Sequence, residues 1–534
     1  MDKIKYLVLL VVGVMLLSCE SLLEQKNPNQ QDSETYWTTE EELSQGLNAA
    51  YRPLRFNGEY RRWLHILYVS RSDEGYSTSP NPHFQSYSNF RTLNDGASEA
   101  VLYTWLDLYK GIFWSNQVLY HGEKIEFEEQ LKKDQIMGQA YFLRGLGLFN
   151  IAGVYGRGPA PIIPDMSEYN QGYKILEQDA LYREAKLNFL EAAKRLPKSW
   201  ENNADLGRIT KGAAWGMLAK VNGQLLDWEN MKLYCDSIIN SGIYKLDDVD
   251  YASNFNEAGE FNTESVFEIQ FAPDRSGIGQ LSQERAKFLG LPANGQSYDD
   301  GTASNSVRDE FQKETMADGK SDPRLKATLF YNDPLDNTLY YGRTFSGWVS
   351  AGTVKSNKVY WKKYTQWDTK SEAAPESHAN NGINIRVIRL ADIYLMRAEA
   401  LNELGLSGAV DDINRVRSRV NMPQLPSSTY PASAYDTKDK MRIQIMHERS
   451  CELAGESWRW FDLERWFFRD NDGDGIKETM VSDYLIDGKT PLEWLQSRDS
   501  EFDNFDYTDG KCFRFPIPSR ELPLVEGLEQ NEGW

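Results

Sequence analysis

Apolar residues recur along most of this chain at the three-to-four spacing of one helix face. Leu43, Leu47 and Ala50 make such a stripe in Thr39–Tyr51, with Thr39 placed as an N-cap and acidic residues in the first turn. Arg62–Ser70 is a further apolar segment. The same periodicity predicts helices over Trp105–Leu119, Gln135–Tyr155, Ala180–Leu196, Ile209–Leu226 and Glu229–Asn240. The Gln135–Tyr155 helix must stop at GRGPAPIIP, where Gly and Pro remove helix competence. Leu390, Ile393, Tyr394, Leu401 and Leu404 predict one more helix, Gly405–Gly408 a turn, and Ala409–Val420 a second helix. The pairs at 209–240 and 390–420 look like degenerate tetratricopeptide units, which cannot each bury a core and must stack on neighbours.

Between the two pairs the texture changes. From about Tyr251 to Asn384 the chain is rich in Gly, Asn, Ser, Asp and rings, with short alternating pieces such as Ser265–Phe271 that read as strand. Tyr298, Tyr340, Tyr341, Trp348, Trp361, Tyr364 and Trp367 lie in it. Upstream, Arg71–Phe90 is a polar loop that carries Tyr76, Phe84, Tyr87 and Phe90. Four rings in one loop either fold back as minor core or face a ligand.

Composition narrows the function classes. Across 534 residues the formal charge is −20, which disfavours nucleic acid and leaves no polybasic patch for anionic lipid. The four cysteines, Cys19, Cys235, Cys451 and Cys512, are too few for a disulfide scaffold of this size, and their redox state is open. The five histidines show no zinc-hydrolase spacing. At the N-terminus, Lys3 and Lys5 precede an apolar run from Tyr6 to Leu17, too short to span a bilayer comfortably. The run ends in Leu16-Leu17-Ser18-Cys19, which looks like a bacterial lipobox. Residues 1–18 then read as a signal peptide, Cys19 as a lipid anchor and 19–38 as a polar tether.

The densest chemistry is Glu448–Trp466, ERSCELAGESWRWFDLERW. Leu453, Ala454, Trp458, Phe461 and Trp466 recur at helical spacing, and Glu456 with Arg459 and Asp462 with Arg465 are placed to pair at i,i+3. Such a cluster is either a catalytic centre or an ion-pair lattice pinning a Trp-rich helix, and we read it as the lattice. The run resembles the C-terminal signature of the SusD/RagB family, ERxxELxxEGxRWFDLxRW, with Ser457 where that family usually has Gly. AYFLRGLGLFNIAGVYGRGPAP, the Trp105–Leu119 segment with Asn116, and the closing FRFPIPSREL…EQNEGW resemble the family in the same order; Glu532 replaces a usual Pro.

The resemblance implies a mainly α fold of tetratricopeptide-like helix pairs forming a right-handed scaffold, with an irregular, partly β insert carrying ligand loops. It implies one domain over 39–534, with scaffold at about 39–250 and 385–425, insert at about 251–384 and a C-terminal segment at about 426–534. It further implies a non-enzymatic lipoprotein of the outer membrane, facing the cell exterior, that captures oligo- or polysaccharide. The captured glycan would pass to a SusC-like TonB-dependent transporter; the alternative ligand is peptide or another nutrient. A pyranose offers an apolar face and a rim of hydroxyls, so rings with a few polar partners suit it. The expected ligand-binding residues are Arg71, Asp73, Tyr76, Phe84, Tyr87, Phe90, Tyr298 and Trp348. No cofactor is required.

Two shorter motifs remain. Asp487-Gly488-Lys489-Thr490 ends like a phosphate loop but lacks the upstream Gly, so it reads as a turn. Asp470, Asp472, Asp474 and Gly475 match the first positions of a calcium loop, while Val481 stands where the bidentate carboxylate belongs. Structural calcium and a solvated acidic turn are both open readings.

Overall fold

Thr39 opens the first helix as its spacing predicts. Its hydroxyl accepts the Glu42 N–H at 3.2 Å, and the Glu42 carboxylate accepts the Thr39 N–H at 3.0 Å. This reciprocal cap satisfies two backbone donors and fixes α1 at Glu40–Tyr51. The structure is a computed structural model, and it describes residues 36–77, 79–80, 84–85, 88, 98–161, 173–273, 281–295, 297–368, 381–469, 485, 487–500, 514–532 and 534. Cys19, Tyr87, Phe90, Asp470, Asp472 and Asp474 lie outside them.

Six further helices follow: α2 (Trp63–Ser70), α3 (Glu99–Lys124), α4 (Gln130–Tyr155), α5 (Gln178–Arg195), α6 (Lys211–Gln224) and α7 (Trp228–Ile239). From α3 onward each packs on the next, and α7 then packs on α12 (Leu390–Glu403), which packs on α13 (Ala409–Arg419). The two helix pairs expected from sequence are therefore neighbours in one stack, although the insert separates them in the chain. Stacking buries the faces that neither pair could cover alone: Met217, Leu218 and Val221 of α6, Met231 and Ile238 of α7, and Ile393 and Leu395 of α12 are all at most 0% exposed.

The insert leaves and rejoins this stack at one place. β4 (Ser265–Ile269) pairs antiparallel with β8 (Ile385–Arg389), and β8 runs directly into α12. The alternating Ser265–Phe271 segment is thus a strand, shorter by two residues than its pattern. Within the insert lie four short helices, α8 (Arg285–Leu289), α9 (Asn305–Phe311), α10 (Pro323–Thr328) and α11 (Phe345–Ser350). Its small ladders join β1 (Gly75–Tyr76) to β5 (Thr302–Ala303) and β6 (Leu329–Phe330) to β7 (Tyr360–Trp361); β2 (Arg157–Pro161) and β3 (Tyr173–Glu177) form a separate pair beside the helices.

The α4 helix stops where its Gly-Pro run predicts. Gly156 adopts φ +72° and returns its N–H to Ala152 O at 3.1 Å, a left-handed cap that glycine adopts without steric cost. The chain's last residues are stapled there: Phe515 N–H donates to Val154 O at 2.9 Å, and Asn531 Nδ2 donates to Tyr155 O at 2.7 Å.

The Glu448–Trp466 run is two helices, α14 (Lys438–Leu453) and α15 (Arg459–Phe467), with α16 (Pro491–Gln496) beyond. Gly455 and Ser457 both sit at φ +75° and make the break. This turn corrects one expected pair. Glu456 binds Arg389 at 2.8 Å and Lys363 at 2.7 Å, while Arg459 points elsewhere, to Asp73 at 2.6 Å. The second expected pair forms, Arg465 to Asp462 at 2.9 Å, because both lie inside α15. Around them Glu448 binds Arg324 (2.6 Å) and Arg417 (3.0 Å), and Arg449 grips Asp462 through two bonds of 2.8 Å. Glu452 meets Arg324, Arg389 and Arg419. These side chains are almost wholly buried, so the cluster is an interior ion-pair lattice rather than a reactive cleft. It ties α14 and α15 to the insert through Arg324 and Lys363, and to the stack through Arg389 and Asp392.

Candidate functional site

The loop after α2 and the first part of the insert meet at a surface. Residues 297–301 run back along α8: Tyr298 N–H donates to Lys287 O at 2.8 Å and Asp300 N–H to Phe288 O at 3.0 Å. β1 crosses beside them, with Tyr76 opposite Thr302. Ser77 Oγ donates to Asp300 O and Ser79 Oγ to the Asp300 carboxylate, which fastens the loop to the insert.

These short contacts assemble an aromatic column. Trp63 and Phe84 centroids lie 5.6 Å apart, Trp63 and Phe288 5.7 Å, and Phe288 and Tyr298 5.6 Å with planes at 75°. The inner rings are buried, whereas Tyr298 is 57% exposed. Cations flank the column: the Arg62 guanidinium lies 5.0 Å from the Phe288 centroid and Lys287 Nζ 5.2 Å from that of Tyr298. Glu284 balances both. Asp299 pairs with Lys358 at 3.0 Å, and burial holds the Asp300 carboxyl above its ordinary range against the Ser79 hydrogen bond. An outward ring with carboxylates, hydroxyls and cations at its rim can cover an apolar sugar face and meet its hydroxyls.

Of the expected site residues, the structure brings Phe84 and Tyr298 into this column, with Tyr76 on the adjoining strand. Phe84 and Tyr76 are buried, so for these two the loop rings are core rather than display. Three expected residues lie away from this column. Arg71 is 1% exposed and lies against the rings of Phe515 and Trp534, at 4.7 and 5.9 Å, where it seats the C-terminal tail. Asp73 is 1% exposed and serves Arg459 and Arg498; burial alone would raise its carboxyl, but the two guanidiniums hold it below the ordinary range. Trp348 is 2% exposed among Phe330, Tyr340, Tyr341, Phe345 and Tyr360, donating its Nε1–H to Tyr340 O at 2.7 Å. Trp367 packs against that second core, whereas Trp361 belongs to the main core and Tyr364 packs with Tyr251 and Phe255. Sequence reading missed Trp63, Phe288 and Lys287: Tyr298 meets Lys287 and Phe288 only because residues 298–301 pair back along α8, and Trp63 reaches Phe288 from a distant helix. Among the described residues no group of three or more His, Cys, Asp or Glu is placed to hold a metal ion. Asp487 and Gly488 form the expected turn, and Thr490 caps α16.

Comparison with known proteins fits this architecture. A family model described as the SusD family matches residues 263–534, and one described as starch-binding associating with outer membrane matches residues 21–222. SusD-like protein P25 of Formosa agariphila is 27% identical over 488 residues, covering 86% of this chain and 89% of its own. A SusD superfamily protein from Bacteroides vulgatus superimposes with a TM-score of 0.76 at 24% identity, covering 94% of this chain and 100% of its own. Surface glycan-binding protein A from Bacteroides fluxus gives 0.70 at 20%, covering 93% and 100%. No helix among the described residues is long and apolar enough to cross a membrane.

Proposed function

Because the chain belongs to the SusD family, whose model spans its residues 263–534, we propose that it is a non-enzymatic receptor that captures glycan at the cell surface and passes it to a SusC-like TonB-dependent transporter. In this reading Cys19 carries the lipid anchor in the outer membrane, and the helix stack faces the transporter while the Tyr298 surface faces outward. The observation that carries the glycan assignment is the Phe84–Trp63–Phe288–Tyr298 column, which supports one exposed ring on a rigid base. A stacking platform must not collapse when the ligand leaves, and the three buried rings supply that stiffness. The related surface glycan-binding protein adds support of the same sense.

Calorimetry of the purified chain against a panel of neutral and acidic oligosaccharides, with peptides as controls, tests the reading. Saturable binding of one glycan class with no released product is the expected result. Binding of peptides alone would replace the ligand class, and cleavage would overturn the receptor assignment.

A further inference from the structure

A second pocket lies away from the aromatic column, where α1 ends against β4 and the turn before α6. Its volume is about 230 Å³, and Arg52, Arg55, Arg208, Tyr51, Asn48 and Gln270 stand on its wall. The unusual feature is charge without balance. Arg52 is exposed and Arg55 half-buried, and among the described residues neither side chain makes a hydrogen bond or ion pair; burial, then the nearby Arg52, holds the Arg55 pKa below the ordinary range. Arg208 keeps a partner, Asp205 at 2.7 Å, and reaches Asn48 at 3.4 Å. The acid on this wall is Glu268, which is buried, gives one oxygen to the Phe261 N–H, and is held by burial toward its neutral form despite Arg386. In a chain of net charge −20, surface arginines readily find carboxylates. The half-buried Arg55 guanidinium, with Arg52 beside it, has no carboxylate partner on this concave wall, and a bound anion would supply one.

We propose that this pocket is a distinct binding site for an oxyanion, the carboxylate of an acidic sugar or a sulfate group. A guanidinium matches either group through two parallel N–H···O bonds, and Arg52, Arg55 and Arg208 all stand on the pocket wall. The volume is large enough for a single charged sugar residue or a free ion. Binding here is independent of the Tyr298 surface and of the glycan reading, since an inorganic ion suffices to test it.

The full chain is titrated with sodium sulfate by calorimetry, and its melting temperature is followed against sodium chloride at equal ionic strength. The wild type is expected to bind sulfate saturably, and R52Q/R55Q to lose at least tenfold in affinity. The double variant should melt no lower than wild type in chloride, because the two side chains have no partner to lose. R308Q, which removes an arginine paired with Asp309 elsewhere, is expected to bind sulfate as wild type does. Glucuronate and a sulfated monosaccharide then distinguish carboxylate from sulfate as the preferred group. Equal sulfate affinity in R52Q/R55Q, or a wild-type response that grows linearly with salt and never saturates, would overturn the proposal.

Discussion

Asp73 and Arg459, 386 positions apart, meet in a two-point ion pair, Nε to Oδ1 at 2.6 Å and Nη2 to Oδ2 at 2.8 Å. One residue belongs to the loop expected to bind ligand and the other to the Trp-rich signature, so the pair fastens that loop to the interior lattice. Arg498 adds a third contact at 3.0 Å, and Ser304 Oγ donates to the Asp73 carbonyl at 2.7 Å. Replacing Asp73 by Asn keeps the shape but leaves Arg459 charged and buried. Loss of one partner of such a pair costs roughly 3–5 kcal/mol. Guanidinium denaturation of Asp73→Asn should therefore show a large drop in midpoint, and a change below about 1 kcal/mol would mean that solvent already reaches the pair.

Glu74, the next residue, has the opposite electrostatics. It is buried, and burial pushes its carboxyl up to about 8, only partly offset by Arg459 and the Gly455 N–H. Its folded pKa lies above the unfolded value of 4.5, so its contribution to stability is fully present below 4.5 and is lost as pH rises through about 8. Glu74→Gln cannot ionise and can still accept from Gly455. Its stability relative to wild type should climb between pH 4.5 and 8, by at most about 1.4 kcal/mol per pH unit, and be level above that range. Parallel urea titrations across this window check the slope, and parallel curves for the two proteins would refute it.

The lattice itself titrates at the acid end. Burial alone would raise Glu264, Glu448 and Glu452, but the guanidiniums of Arg419, Arg389, Arg324 and Arg417 hold all three below 4.5. Depressed carboxylates stabilise above their unfolded values and lose that contribution as pH falls through the folded ones. Melting temperature should thus decline steeply below about pH 4.5, and more steeply than in a Glu452→Gln variant, where one of the titrating groups is already neutral.

Ser457 tests why the break between α14 and α15 tolerates a side chain. At φ +75° a Cβ costs roughly 1–2 kcal/mol. Here the hydroxyl pairs with His65 Nδ1, whose ring burial keeps neutral by lowering its pKa well below the ordinary value. Ser457→Gly removes the strain and the hydrogen bond together, so it should fall within about 1 kcal/mol of wild type. Ser457→Val keeps the strain, adds a β-branch and orphans His65, so it should cost more than about 2 kcal/mol by denaturant midpoint.

These residues also show what the chain discloses in one dimension. Helices with their own apolar stripe and cap, such as Glu40–Tyr51, and breaks made by Gly and Pro, such as Gly156, are local effects and were readable from sequence. So was the Asp462–Arg465 pair, since both partners share one helix. Glu456 and Arg459 share no helix: the left-handed Gly455 and Ser457 turn them apart, and a spacing rule cannot see that turn. The site was legible only in part for the same reason. Residue type marks a ring or a charge, while burial, set by distant pairings such as Tyr298 with Lys287 and Asp73 with Arg459, decides whether it faces ligand or core.

That distinction can be measured on two rings expected from sequence to do the same work. Tyr298 stands outward on Phe288 and is 57% exposed; Trp348 is 2% exposed and bonded to Tyr340 O. Removing an exposed ring deletes little packing, so Tyr298→Ala should melt within a few degrees of wild type. Ring stacking contributes about 0.5–1.5 kcal/mol beyond the area it covers, so glycan affinity should fall about tenfold or more. Trp348→Ala empties part of a filled core and should cost about 3–5 kcal/mol in stability. At a temperature where that variant remains folded, its affinity should stay near wild type, because a ring buried in the core has no face to offer a ligand. The reverse pattern, with Trp348→Ala weakening binding in a stable protein and Tyr298→Ala leaving affinity intact, would move the binding surface from the Tyr298 column to the insert's second core.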